Sequence, residues 1–596
     1  MDKLPQEILN HIASYIPAND VGSSVVRPSI ACVSRRWQQA VEHFSFRFIR
    51  LLPSDIDKFA TVFSTSQYHR RRMLRVLRLS IELPPMPSNR PGDANLRRLE
   101  HNAFASKALT ALFNVLAGWE ADSKIAIDFG YDIFATDDHL RFGPESNGPD
   151  IYDKDLSYIE FSTVCQLPKL PFIKSIFTAH IHAGGRVHPA SLVAITTRVG
   201  HLERIDWDYD EPGVYLGLAK EMRREFTRAL ETHRLPSETG SFGLFMLSRD
   251  FEHSERLPDF ASPNSHDPFC SALHHFINNS NLEDFEYEGQ VDESLFWSYD
   301  LSYDATETDD VLWPAMQRLW VRFKLNSPGG KWYFEAEHPD DRTLSGSNES
   351  PLSPDDPSWA HKPPSYYGGS EEERAARHAA MEYYASALQA RGTSRFRSVP
   401  KNEHILPLLS AFARALARMP ALKSAHLTTS PCYPGYEDED CDWTVDYVAP
   451  WETVQQNDAA NQQSPHVSAP RVFFDTGGWR PSKEVLKLFA EIGRKAHDQD
   501  TSIIFVSHQA AEDENEVEGD EVDEDEVEED EHVNDDEVDY NFFDEAQFAY
   551  SVDEEEDFIS FSTREELQAF LLRQSSLFDD DEPMGDEANL DDWFFG

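Results

Sequence analysis

Residues 404–429 read HILPLLSAFARALARMPALKSAHLTT, and the architecture of most of the chain follows from the pattern in this stretch. Its first part places apolar residues at helical spacing, as in a helix with one buried face. A turn carrying Pro420 comes next. The last part, ALKSAHLTT, alternates apolar and polar residues as a half-buried strand does. We therefore predict a helix, a turn and a strand in this order.

The same local form recurs along the chain. Helical segments NAFASKALTALFNVLAGW, SLVAITTRVG and CSALHHFINNS precede strand-like runs, and the runs cover 75–83, 123–129, 172–181, 201–209, 241–247, 281–289, 317–325, 421–429, 471–475 and 502–508. Helix and strand at steps of about 30 to 50 residues are typical of a solenoid whose units cover each other's apolar faces. The repeat has no strict leucine-rich register. A doubly wound α/β domain with the same alternation is the alternative.

The charge of the chain is concentrated at one end. The 596 residues include 106 Asp and Glu against 54 Lys and Arg, for a net charge of −52. Residues 511–596 carry −34 of this charge, with Arg564 and Arg573 as their only basic residues. The first 510 residues carry −18, as in a moderately acidic globular protein. The length of 596 residues indicates about four structural units. This balance argues against nucleic acid and anionic membranes as partners, because phosphate binding needs a cationic surface.

Cysteine usage and hydropathy indicate the compartment. Five cysteines, none in a C-x-x-C pair, predict neither a disulfide framework nor a zinc site. The first residues lack the uninterrupted apolar stretch of a signal peptide, and no window is long enough to span a bilayer. We expect a soluble cytoplasmic or nuclear protein without a cofactor.

Two regions depart from the helix and strand pattern. Between Pro339 and Pro400 the chain is rich in Ser, Pro, Asp and Gly, which predicts a flexible insertion, and EEERAARHAAMEYYASALQARG within it predicts one helix. Between Glu512 and Asp557 lie 26 carboxylates and no Lys or Arg, so self-repulsion should keep this stretch unfolded. The predicted organisation is a helical unit at 1–50, a solenoid at 51–338 and 401–510, the insertion at 339–400, an acidic segment at 511–557 and an acidic, aromatic tail with a short helix at 558–596.

Enzyme motifs are almost absent. The chain has no H-E-x-x-H, G-x-x-x-x-G-K-[ST], G-x-G-x-x-G or G-x-S-x-G motif. His180 with His182 and the adjacent pair His274-His275 are interpreted as surface or structural residues. The run VFFDTG at 472–477 is similar to the active-site turn of aspartic proteases, but a second such turn is missing. We predict a strand that ends in a glycine turn before a Ser482-capped helix, and no catalytic or metal site.

The amino-terminal string LPQEILNHIASYIP, a spacer and IACVSRRWQQAV form the most specific motif. It resembles the F-box, L-P-x-E-[IL]-[IL]-x-x-[IL] followed by V-[CS]-[KR]-x-W. The resemblance implies that the amino-terminal helices bind a Skp-type adaptor, and through it a cullin, while the rest of the chain binds a protein substrate for ubiquitin transfer. The residues implied in adaptor binding are Leu4, Pro5, Glu7, Ile8, Leu9, Ile12, Ile16, Val33 and Trp37.

The character of these residues supports the same interpretation, because an apolar patch too small to be buried internally marks a protein interface. A helical cap on the end of the solenoid is the alternative. The run from Phe46 to about residue 130 also resembles fungal F-box proteins with a degenerate leucine-rich-repeat region. We therefore expect a non-catalytic substrate receptor. The alternative function is an acidic interaction protein that holds basic partners through its tail, and that tail could also contact a basic cluster formed by Arg70, Arg71, Arg72, Arg75 and Arg78.

Overall fold

The computed structural model describes residues 4–14, 31–81, 94–120, 125–128, 158–178, 186–211, 216–247, 259–260, 266–297, 311–336, 397–431, 442–452 and 467–506. They belong to two compact units, which divide between Ser45 and Phe46. Within these ranges, no helix is both long and apolar enough to cross a membrane.

The described residues of the amino-terminal unit contain two helices, α1 (Gln6–Ser14) and α2 (Arg35–Ser45). The helices of the second unit are α3 (Ile56–Val62), α4 (Tyr68–Met73), α5 (Ala94–Leu116), α6 (Pro189–Thr196), α7 (Leu216–Thr232), α8 (Pro268–Asn278), α9 (Asn402–Leu416), α10 (Lys483–Ala490) and α11 (Ile492–His497). Its strands are β1 (Phe48–Leu51), β2 (Val76–Leu79), β3 (Ile125–Asp128), β4 (Tyr158–Ile159), β5 (Ile173–Phe177), β6 (Arg186–Val187), β7 (Arg204–Asp210), β8 (Ser241–Leu247), β9 (Asp284–Gly289), β10 (Arg318–Phe323), β11 (Phe334–Ala336), β12 (Arg397–Pro400), β13 (Ser424–Thr429), β14 (Trp443–Val448), β15 (Arg471–Asp475) and β16 (Ser502–Phe505).

A 12-stranded sheet organises the second unit. Its strand order, β1-β2-β3-β5-β7-β8-β9-β10-β13-β14-β15-β16, follows the order of the chain. The first nine strands pair in parallel, β14 is antiparallel to β13 and to β15, and β16 is parallel to β15. A doubly wound sheet reverses its order at a switch point, and this sheet has no reversal. The prediction of a mixed α/β protein is confirmed, with a large, mostly parallel sheet.

Each of the ten strand-like runs contains a strand of this sheet. The helix and strand at 404–429 are α9 and β13. Strand β14 was not predicted, although Trp443, Val445 and Tyr447 alternate with Thr444 and Asp446, and all six of its residues are buried.

The hydrophobic core lies between one face of the sheet and the helices. In β9 and β10 every second residue is buried. Aromatic pairs join these residues to the helices: Trp207 lies 6.4 Å from Phe226 of α7, and Phe242 lies 6.0 Å from Phe276 of α8, between ring centroids. The residues between the buried ones lie on the opposite side of the sheet, which we call the open face.

Several predicted regions fall outside the described residues. They are the helix at 371–392, the acidic segment at 511–557 and the tail at 558–596 with its short helix. The last four residues of the predicted insertion, Arg397–Pro400, form strand β12. This strand is ordered by antiparallel pairing with β11, and its Ser398 is buried.

A buried ion cluster links two of the helix and strand units. Arg223 of α7 donates to Glu211 at 2.8 Å and to Asp267 at 2.6 Å, and all three side chains are almost inaccessible to solvent. Burial opposes the charge of Arg223, but the two carboxylates raise the pKa of its guanidinium well above the usual value. Asp267 also caps α8 by accepting hydrogen bonds from the backbone of Phe269 and Cys270.

Candidate functional site

The two helices of the amino-terminal unit form a small core of their own. Leu9 and Ala13 of α1 pack against Trp37 and Ala40 of α2, and each of these four side chains is at most 5% exposed. Leu4 and Phe44 border this cluster as half-buried neighbours. Part of each apolar helix face therefore meets the other helix, with Leu9 on α1 and Trp37 on α2.

Hydrogen bonds hold the start of α1 against α2. The Gln6 side chain donates to the carbonyl oxygen of Arg36 at 3.0 Å, and the Arg36 guanidinium donates to the carbonyl oxygen of Leu4. At the start of α2, the Ser34 hydroxyl accepts a hydrogen bond from the backbone amide of Trp37, which would otherwise lack a partner at a helix amino terminus. The Ser34 carbonyl oxygen accepts the first helical hydrogen bond, from the amide of Gln38. Gln6 and Arg36 occupy variable positions of the F-box pattern, so that pattern did not single them out.

Another set of apolar side chains in this unit faces outward. Ile8 is 44% exposed, Ile12 is 39% exposed and Val33 is 63% exposed, and Pro5 is exposed beside them in sequence. Ile8 and Ile12 lie one helical turn apart and therefore share one side of α1. We call Pro5, Ile8, Ile12 and Val33 the outer set.

The nine residues implied in adaptor binding thus take different positions. Pro5, Ile8, Ile12 and Val33 are exposed, Leu4 is half-buried, and Leu9 and Trp37 lie inside the helix pair. Ile16 and the side chain of Glu7 are outside the described residues. Leu9 and Trp37 hold the helices together, while the outer set is available for contact with another protein.

The five arginines at 70–78 do not form one surface. Arg71 is buried and donates to Glu120 at 2.9 Å and to the carbonyl oxygen of Phe63. Arg70 is also buried, and its guanidinium lies 5.1 Å from the ring centroid of Phe46. Arg72 and Arg75 are exposed, and Arg78 is half-buried over the Phe48 ring. Part of the predicted basic cluster is therefore buried and does not contribute to the surface charge.

The D-T-G segment forms the predicted strand, turn and helix. Strand β15 ends at Asp475, and Gly477 and Gly478 follow with φ of 58° and 85°. Both glycines therefore adopt the left-handed backbone that side-chain-bearing residues avoid. Ser482 then caps α10 by accepting from the Val485 amide at 3.4 Å. Asp475 is itself buried at the end of its strand.

The remaining candidates are histidines. His274 is buried, and its Nδ1 lies 2.9 Å from the carbonyl oxygen of Leu295. Burial lowers its pKa to about 4, so it is a neutral structural residue at physiological pH. His180 and His182 lie outside the described residues. Among the residues described, no group of His, Cys, Asp and Glu is arranged to hold a metal ion.

Comparison with other proteins identifies the amino-terminal unit. Comparisons with curated proteins and with solved structures find no significant match. Comparison with protein families matches residues 1–49 to the F-box domain. This span contains both helices of the amino-terminal unit and the outer set of exposed apolar residues. The chain therefore carries an F-box domain at residues 1–49.

Proposed function

We propose that this protein is the substrate-recognition subunit of a cullin-RING ubiquitin ligase of the Skp, cullin and F-box type. Its F-box would bind a Skp-type adaptor, and through it a cullin, while its second unit would bind a protein substrate. F-box proteins are typically non-catalytic adaptors, so we propose no catalytic role. The observation that carries the proposal is the outer set on an F-box helix pair whose core is complete without it.

The energetics of the outer set favour a protein interface. Burying an aliphatic side chain of this size stabilises a complex by about 1.5–3 kcal/mol. Ile8 and Ile12 leave much of their surface in water although Leu9, between them, is fully buried. Clustered apolar anchors of this kind dominate binding energy at protein interfaces.

For the second unit we propose a leucine-rich-repeat-like solenoid that presents the substrate. The support is the strand order, in which each parallel strand lies beside the next one along the chain. In such an array each unit contacts its neighbours and leaves an extended surface for a partner.

Co-elution of the full chain with a purified Skp-type adaptor tests the adaptor role. The variants Ile8→Asp and Val33→Asp place a charge in the outer set and should abolish co-elution. Gln39→Asp places the same charge on an exposed position of α2 outside this set and should leave co-elution intact. Unchanged binding by Ile8→Asp and Val33→Asp would show that the adaptor uses another surface.

A second candidate function rests on the 26 carboxylates between Glu512 and Asp557. Such a density of negative charge attracts cationic segments in a salt-dependent way, so the tail could hold basic proteins. A chain lacking residues 511–596 separates the two functions. The receptor proposal expects adaptor binding to persist, whereas the tail proposal expects loss of the main partner.

A further inference from the structure

The open face of the sheet carries a row of side chains that the sequence does not bring together. In the register of β7, β8, β9 and β10, Asp206 lies beside Gly243, Gly243 beside Glu286, and Glu286 beside Trp320. The neighbours of these residues along each strand belong to the buried face, as Phe285 and Tyr287 do on either side of Glu286. The row therefore lies on the side away from α7 and α8.

Glu286 differs from the other carboxylates around it. Three of them are paired: Asp206 accepts from Arg204 at 2.7 Å, Asp284 from Arg318 at 2.6 Å and Glu288 from Lys324 at 3.0 Å. The carboxylate of Glu286 has no hydrogen-bond or ion-pair partner among the described residues, although it is only half-exposed. An unpaired and partly desolvated carboxylate is unfavourable unless a cation approaches it.

The charges around Glu286 make a cation next to its carboxylate more favourable. Asp206 reaches over Gly243 toward Glu286, because a Cβ atom at Gly243 would lie 2.6 Å from Asp206 Oδ1. Burial, and after it the charge of Asp206, raise the pKa of Glu286 to about 7 against the opposing charge of Arg204, and Glu288 adds to the rise. A positive group placed here would relieve both burial and repulsion.

Trp320 provides an aromatic surface on the other side of Glu286. Its ring is stacked on His426 of β13, with 6.0 Å between centroids and 11° between planes, and His426 is hydrogen-bonded to Asp446. His426 contacts the indole from β13, on one side of β10, and the strand of Glu286 lies on the other side of β10. Trp320 Nε1 is also buried without a hydrogen-bond partner among the described residues.

A carboxylate beside an indole ring is suited to a lysine or arginine side chain. The carboxylate forms an ion pair, and the indole surface attracts the same cation through its quadrupole. A metal ion fits less well, because the described residues here offer no third ligand. The acidic segment from Glu512 to Asp557 contains no Lys or Arg and therefore offers no cation to this site.

We propose that Glu286 and Trp320 form a recognition site on the open face for a lysine or arginine side chain of the substrate protein. This inference rests on the proposed function, since it assigns the substrate class to the substrate-binding unit.

Selection of peptides from a random dodecapeptide display library tests the proposal on the full chain. Peptides that bind the wild type are passed over the Glu286→Gln variant, and those that bind the variant are discarded. This step removes the peptides that are held by the acidic tail. We expect the remaining peptides to share a Lys or Arg at one position. The proposal is overturned if no peptide survives depletion, or if the survivors lack a shared basic residue.

The affinities of one surviving peptide for the wild type and for single variants then measure how much each residue contributes to binding. We expect binding to weaken at least tenfold for Glu286→Gln and for Trp320→Ala, and to stay within twofold for Glu283→Gln, an exposed carboxylate just before the same strand. Replacing the basic residue of the peptide by Gln should weaken binding to the wild type but hardly affect binding to Glu286→Gln. Equal losses on both proteins would contradict a direct contact.

The adaptor provides the final control. Glu286→Gln should co-elute with a Skp-type adaptor as the wild type does, and Ile8→Asp should retain the peptide. If the wild type selects basic peptides but does not bind the adaptor, the proposed function is wrong. If the wild type binds the adaptor but selects no basic peptide, the recognition site is wrong.

Discussion

Arg223 Nη2 lies 2.6 Å from Asp267 Oδ2, and both side chains are at least 95% buried. Their contact joins α7 to the start of α8, and it places three ionisable groups in the interior once Glu211 is included. Such groups are tolerated only as a set, because a single charge left alone in the interior is strongly unfavourable.

Substitution of Arg223 by Met should therefore destabilise the second unit strongly. The variant leaves the carboxylates of Glu211 and Asp267 buried without a cation, and we expect a loss of about 3–5 kcal/mol in the free energy of unfolding. Urea unfolding followed by tryptophan fluorescence measures it. The matched control is Arg224→Met, whose exposed side chain pairs with Glu221 and should contribute less than about 1 kcal/mol. Similar losses for both variants would contradict the role of the buried cluster.

A methyl group at Gly289 should disturb the core at the end of β9. The added Cβ would lie 2.5 Å from the Tyr287 hydroxyl oxygen, which is itself held by the carbonyl oxygen of Gln290 at 2.9 Å. We expect Gly289→Ala to lower the free energy of unfolding by about 1–3 kcal/mol. At Gly240 the nearest atom would be 3.8 Å away, so Gly240→Ala should have little effect on thermal unfolding. A harmless Gly289→Ala would show that Tyr287 has room to move.

The Glu286→Gln variant should gain stability relative to the wild type as pH rises. The pKa of Glu286 is raised from 4.5 to about 7 in the folded protein. Below pH 4.5 the carboxyl is protonated in both states, whereas above it the unfolded chain ionises first, and the wild type loses stability until pH passes 7. Glutamine does not ionise, so the advantage of the variant should grow by about 1–2 kcal/mol between pH 4.5 and pH 8. A pH-independent difference in urea midpoint would argue against a protonated Glu286.

Substitutions of Leu9 and of its neighbour Ile8 should have different effects on the stability of the helix pair. Leu9 is fully buried in the helix pair and Ile8 is 44% exposed. Leu9→Ala should cost about 2–4 kcal/mol, enough to open a unit this small, whereas Ile8→Ala should leave it folded. Hydrogen exchange of the backbone of α1 measures the difference. Undiminished protection in Leu9→Ala would mean that the helices are held by other contacts.

The periodicity of apolar residues was sufficient to predict most of the architecture, because helices with one apolar face and half-buried strands each repeat apolar residues at a characteristic spacing. It placed a strand in each of ten runs. It missed β14, although the apolar residues of this strand alternate with Thr444 and Asp446. It also missed β1 and the short strands β4, β6, β11 and β12, which lie outside the ten runs.

The sites depend on relations that a single sequence does not contain. Ile8, Leu9 and Ile12 all fit one apolar helix face, and only the packing of α2 shows that Leu9 is inside while the other two are exposed. The row from Asp206 to Trp320 spans four strands. Its members meet only through sheet register, which local patterns do not specify.

The dissociation constant between the full chain and a Skp-type adaptor, measured by calorimetry, tests the central claim most directly. The account predicts that Ile8→Asp weakens this complex by about 30-fold or more, since a hot-spot residue contributes about 2 kcal/mol or more. Gln39→Asp should bind as tightly as the wild type. The account is contradicted if the wild type fails to bind the adaptor, or if Ile8→Asp binds it with unchanged affinity.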